Sequence, residues 1–143
     1  MLHDAVESPA EASPAEFRAQ YEAELAAVVA DRGADAVAAE TDLDRETVDS
    51  VADGDASGLT LSEAAAVLGT VPDRPDADSI TAAARDHLML GMTTGILDVD
   101  TVAADIDVDL TGKEVQQALE GRTPVTLRQF AAIQAYVESR QRP

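Results

Sequence analysis

Apolar side chains return every three or four positions between residues 13 and 32, at Phe17, Tyr21, Leu25, Val28 and Val29. That period predicts an amphipathic helix with one face turned towards a core. Its start is written in Ser13-Pro14-Ala15-Glu16, a capping box with proline at the first helical position, and Gly33 is its stop. The pattern predicts a second long helix over roughly 79–94, carrying Ile80, His87, Leu88, Leu90 and Met92. After each long helix come shorter apolar clusters separated by Gly, Asp and Thr. The β-branched residues occur singly rather than in alternating runs, and 28 of the 143 residues are Ala, the strongest helix former. The fold class is therefore all-α.

The pattern also repeats. Residues 37–68 read VAAETDLDRETVDSVADGDASGLTLSEAAAVL, and residues 102–133 read VAADIDVDLTGKEVQQALEGRTPVTLRQFAAI. Val37-Ala38-Ala39-Glu40 matches Val102-Ala103-Ala104-Asp105, Val48 and Gly54 match Val115 and Gly121, and Leu59-Thr60-Leu61 matches Val125-Thr126-Leu127. Helix-start chemistry repeats as well: Thr60 with Glu63 and Thr126 with Gln129 form capping boxes at equivalent places, and Thr111 with Glu114 forms another. Three blocks in the same order imply an internal duplication. The expected organisation is a mobile tail at 1–12, a first helical unit at 13–71, a proline linker at 72–78 and a second unit at 79–143. Each unit is one long helix followed by three short ones, and the two dock through their long helices as one compact bundle.

Charge changes this picture less than its size suggests. The formal net charge is −18, Arg outnumbers Lys nine to one, and the aromatics are only Phe17, Tyr21, Phe130 and Tyr136. Acidic residues occur throughout, as expected for a halophilic protein of a high-salt cytoplasm. Near 1 M salt the screening length falls to roughly 3 Å, which removes most of the self-repulsion. On that reading the acidity describes the solvent and leaves nucleic acid open as a partner; the competing reading is an ordinary acidic adaptor. There is no cysteine, hence no disulfide or thiol chemistry. The N-terminal residues lack the basic and apolar regions of a signal peptide, and no apolar run approaches the ~18 residues of a membrane span. The expected location is cytoplasmic.

Each repeat resembles the helix-turn-helix of the lambda repressor and Cro family. The first keeps Val37 to Val48 at eleven positions and Val48 to Gly54 at six; the second stretches the turn by two residues but keeps Val115 to Gly121 and Gly121 to Leu127 at six. Glycine at the end of the third helix can take the left-handed conformation that stops it. Over nearly its whole length the chain is also similar to a family of small acidic proteins from haloarchaea, a resemblance that implies salt adaptation but no activity. The helix-turn-helix resemblance implies that the third helix of a unit enters the major groove. By position, the second unit then offers Lys113, Gln116 and Gln117 to double-stranded DNA, flanked by Arg122 and Arg128. Gln can contact adenine edges and Arg or Lys can hold phosphates. The first unit offers Arg45, Glu46, Asp49, Ser50 and Asp53, a face that repels phosphate. Against this stands a bland reading: Gln116 and Gln117 are the solvated side of a short helix, Arg122 and Arg128 pair with carboxylates such as Glu120, and the motif is a packing scaffold.

Catalysis finds no support. There is no metalloprotease motif, no glycine-rich phosphate loop after a strand and no cysteine nucleophile. His3 lies in the tail. His87, beside Asp86 and near Met89 and Met92, reads as a core or boundary residue rather than a metal ligand. No cofactor is expected. Two non-catalytic functions remain: a DNA-associated transcriptional regulator acting through the second unit, or an interaction module whose acidic first unit docks a protein.

Overall fold

The computed structural model describes residues 11–56 and 58–141. Among them lie eight α-helices and no strand: α1 (Pro14–Arg32), α2 (Ala34–Glu40), α3 (Arg45–Ala52), α4 (Leu61–Leu68), α5 (Ala77–Thr94), α6 (Val99–Asp105), α7 (Gly112–Leu119) and α8 (Leu127–Ser139). The expected mobile tail, with His3, falls mostly at residues 1–10, outside the described residues; Ala12 packs against the core.

Local chemistry sets most of the boundaries. Ser13, Thr60, Thr111 and Thr126 each close a complete capping box with the Glu or Gln three residues on. Each box satisfies two backbone donors that a helix start leaves orphaned. α5 begins two residues before the expected position, because the Asp76 carboxylate accepts from Ser79 N–H and starts the helix inside the proline segment. That segment is also anchored: Arg74 donates to Glu24 of α1 at 3.1 Å.

The order long helix, short helix, short helix, fourth helix occurs twice, although α8 is longer than α4. The long helices share a register. Buried Phe17, Tyr21, Leu25, Val28 and Val29 of α1 stand sixty-three positions before buried Ile80, Ala84, Leu88, Gly91 and Met92 of α5. The long helices do not dock principally on each other. Instead α1 packs against α8 and α4, and α5 against α4 and α8, so each crosses the seam between the halves. These four helices form the centre; α2–α3 sits against α1, while α6 and α7 pack on one another and on α8 and α5. A single buried cluster runs through all eight.

The halves meet at equivalent residues. Leu61 N–H donates to the Val125 carbonyl at 2.7 Å, and Leu127 N–H donates to the Leu59 carbonyl at 2.8 Å, around an antiparallel bridge between Thr60 and Thr126. Exchanging the two halves maps this pair of bonds onto itself. Tyr21 of α1 packs against Phe130 of α8 with ring centres 5.9 Å apart and planes tilted by 55°, and its hydroxyl donates to Gln134 Oε1, with both side chains fully buried. Burial, then the charge of Glu138, pushes the Tyr21 phenol well above its ordinary pKa. The aromatics of α1 thus supply bulk that α5, with Ile80 and Ala84, does not.

Candidate nucleic-acid interface

Every third or fourth residue of α7 faces inward: Gly112, Val115, Ala118 and Leu119 are buried. The opposite face therefore collects Lys113, Gln116, Gln117 and Glu120, at helical spacings of three and four. Lys113 and Gln116 are exposed and Gln117 is half-buried. Thr111 caps the helix and Glu114 returns the bond to Thr111 N–H at 3.0 Å. Asp100 of α6 lies against Gly112, leaving no room for a β-carbon there. The turn from α6 to α7, residues 106–111, is two residues longer than the turn from α2 to α3, residues 41–44.

After α7 the chain turns at Gly121, whose φ of 75° corresponds to 88° at Gly54 after α3. The backbone bonds around the two glycines correspond as well. Asp53 N–H and Glu120 N–H close the helix ends on Asp49 and Gln116, and Asp55 N–H and Arg122 N–H reach back to Ser50 and Gln117. Arg122 is exposed, and its Nε stands 3.7 Å from Glu120 Oε1. A surface pair of that kind contributes about 0–1 kcal/mol. Arg128 is exposed at the second position of α8 and makes no ion pair among the described residues. Lys113, Gln116 and Gln117 thus share one face, Arg122 follows at its end, and Arg128 belongs to the next helix.

In the first half the same places are acidic and self-paired. Arg45 at the start of α3 is held by Asp35 and by Asp49, the latter at 3.0 Å. Asp44 caps the helix by accepting from Thr47 N–H at 2.7 Å, which holds its carboxyl below the ordinary range.

Two features had no mark in the expected site. A hollow of about 350 Å³ borders Gln116 and is lined largely by Met89, Met92, Leu97, Val99 and Leu119. The second is Arg85 of α5. Its guanidinium lies so close over Gly121 that a β-carbon there would stand 2.7 Å from its Cζ. Arg85 has no sequence motif around it; extending the repeat back into the long helices, where it falls at the position of Glu22, would have found it. His87 sits at the boundary, with Nε2 2.9 Å from Glu138 Oε1. Among the described residues no group of three or more His, Cys, Asp or Glu is placed to hold a metal ion, and no helix is long and apolar enough to cross a membrane.

The chain belongs to the family of unknown function DUF5791, whose model matches residues 17–140. No curated protein and no solved structure matches it.

Proposed function

We propose that the protein is a non-catalytic, DNA-associated regulator of the high-salt cytoplasm, built as a tandem pair of degenerate helix-turn-helix units, of which the second contacts the duplex. One observation carries this reading. From Thr111 to Arg128 the cations Lys113, Arg122 and Arg128 outnumber the carboxylates Glu114 and Glu120, and all three cations are exposed. The corresponding first-half stretch, from Asp44 to Ser62, carries Arg45 against Asp44, Glu46, Asp49, Asp53 and Asp55. In a chain of −18 charges that contrast supports α7 as the helix presented to phosphate and base edges. Gln116 and Gln117 are the base-reading candidates, and Lys113, Arg122 and Arg128 the positioning ones.

A second reading rests on the hollow beside Gln116 and the exposed Met89, Leu90 and Ile96. Together with the Arg122–Glu120 pair, they favour a protein partner over DNA. Anisotropy of a labelled random-sequence duplex, titrated with the full chain at several potassium chloride concentrations, separates the two. The DNA reading expects binding that weakens steeply with salt, and a loss of about 1–3 kcal/mol in Gln117→Ala confined to preferred sequences. No duplex binding at any salt concentration leaves the protein-partner reading. Salt adaptation has its own measure: helicity by circular dichroism should rise between low salt and molar potassium chloride, and a full, flat signal contradicts it.

A further inference from the structure

Where the two halves meet, a cleft of about 270 Å³ opens between the start of α4, the middle of α5 and the loop after Gly121. Its lining includes two of the chain's ten Lys and Arg residues, Arg85 and Arg122, and not one of its 28 Asp and Glu residues. Two hydroxyls on its wall are already committed: Thr60 accepts from Glu63 N–H in its capping box, and Thr81 donates to the Ala77 carbonyl. Ser62 and Thr123 also line it, and among the described residues their hydroxyls make no such bond. Ser62 lies in the first turn of the eight-residue α4, whose dipole adds a partial positive charge at the same end.

The first half fills the corresponding place from within. Arg85 stands in the register of Glu22, sixty-three positions earlier. Glu22 Oε2 accepts from Ala56 N–H at 2.8 Å, in the loop after Gly54. Thr123 takes the place of Ala56 after Gly121, since both lie two residues beyond the glycine. The first half therefore fills its loop with its own carboxylate. The second half places a guanidinium there, directly over Gly121, and adds Arg122 from the loop itself.

We infer that this cleft is a seat for a phosphate-class oxyanion, the external counterpart of the Glu22 carboxylate in the first half. Arg85 and Arg122 supply charge-assisted donors, and Ser62 and Thr123 supply hydroxyls. The seat lies at the end of α7 rather than on its base-reading face, so it stands whether or not Gln116 and Gln117 meet a duplex. The anion has two sources of the same chemistry, a free phosphate compound or a backbone phosphate of DNA.

The test is calorimetric titration of the full chain with inorganic phosphate at constant ionic strength in potassium chloride. Saturable binding is expected, weakened about tenfold in Arg85→Gln, the loss of one charged hydrogen bond. Arg85→Glu, which recreates the arrangement of the first half, should abolish it, and exposed Arg122→Gln should weaken it with no loss of helicity. A short duplex that displaces phosphate assigns the seat to a backbone phosphate, and one that does not assigns it to a free compound. Duplex anisotropy on the same variants separates this seat from the DNA reading: duplex binding lost with phosphate binding intact leaves the seat standing. No saturable heat, or equal affinity in parent and in folded Arg85→Gln and Arg122→Gln, overturns the proposal.

Discussion

The two halves follow one helix order, and their corresponding loops after α3 and α7 meet side chains of opposite charge. After α3, the loop at Gly54 is closed by Glu22, and Arg45 is neutralised by Asp35 and Asp49. After α7, the corresponding loop meets Arg85, and Arg122 pairs with Glu120 at 3.7 Å on the surface. Packing is alike on both sides, since Val37, Val48, Val102 and Val115 are all fully buried. The difference teaches that in this plan the four buried valines of the short helices are kept while the surface charge around the following loop changes sign. The loop after Gly54 receives a carboxylate from its own half, and the loop after Gly121 receives a guanidinium.

Core truncation should have the largest effect and tests whether the halves are equivalent in bulk. Tyr21→Ala copies the residue that α5 carries at Ala84, yet it removes a buried ring packed on Phe17 and Phe130 and the hydroxyl that donates to Gln134. It should cost about 3–5 kcal/mol in urea denaturation; a loss below about 1 kcal/mol would mean that α1 does not carry the core. Next come the two glycines. Gly54→Ala and Gly121→Ala each force alanine into a left-handed conformation, for about 1–2 kcal/mol. The space above Gly54 is empty and the space above Gly121 holds Arg85. Gly121→Ala alone should therefore also displace Arg85 and weaken phosphate binding; equal effects of both glycines on phosphate would erase the contrast.

A smaller effect, of the opposite sign, is expected at Ile96. In register it stands where the first half has Gly33: φ is 88° at Gly33 and 53° at Ile96. A β-branched residue there is strained. Ile96 is also 73% exposed and has little burial to lose. Ile96→Gly should raise stability by about 1 kcal/mol, read as a higher melting temperature; a fall would show that its side chain contributes packing after all. The smallest effect is on acid sensitivity. A backbone bond from Thr47 holds the Asp44 carboxyl below its ordinary pKa. Its stabilisation is therefore present above the unfolded value near 3.9 and lost as pH falls through the folded one. Asp44→Asn keeps a capping oxygen without the titration, so the acid limb of stability against pH should flatten slightly. An unchanged limb would mean that the cap is not ionised in the folded state.

Much of the helical layout was legible because it is local. The capping boxes at Ser13, Thr60, Thr111 and Thr126 and the glycines at 33, 54 and 121 act within one turn, so their residues announce them. The start of α5 was hidden by Pro72 and Pro75, which read as linker although Asp76 already caps a helix. The crossing of α1 onto α8 and of α5 onto α4 had no sequence signal, because two similar apolar stripes do not say which partner each meets. The left-handed Ile96 was equally silent, since isoleucine is not a turn residue. At the candidate site, the face shared by Lys113, Gln116 and Gln117 follows from helical spacing alone. Arg85 does not: it reaches Gly121 from another helix, and only the register of the long helices reveals its counterpart in Glu22.

The contrast between the halves comes down to one paired titration. Duplex binding by Arg122→Ala and by Arg45→Ala is followed by anisotropy across a potassium chloride series, with the parent chain alongside. If the second half alone meets the phosphate backbone, Arg122→Ala weakens all duplexes alike and lowers the salt slope by about one. Arg45→Ala, whose guanidinium is already held by Asp35 and Asp49, leaves both affinity and slope unchanged. Equal losses in the two variants, or a slope that Arg122→Ala does not change, would contradict the division of roles between the halves.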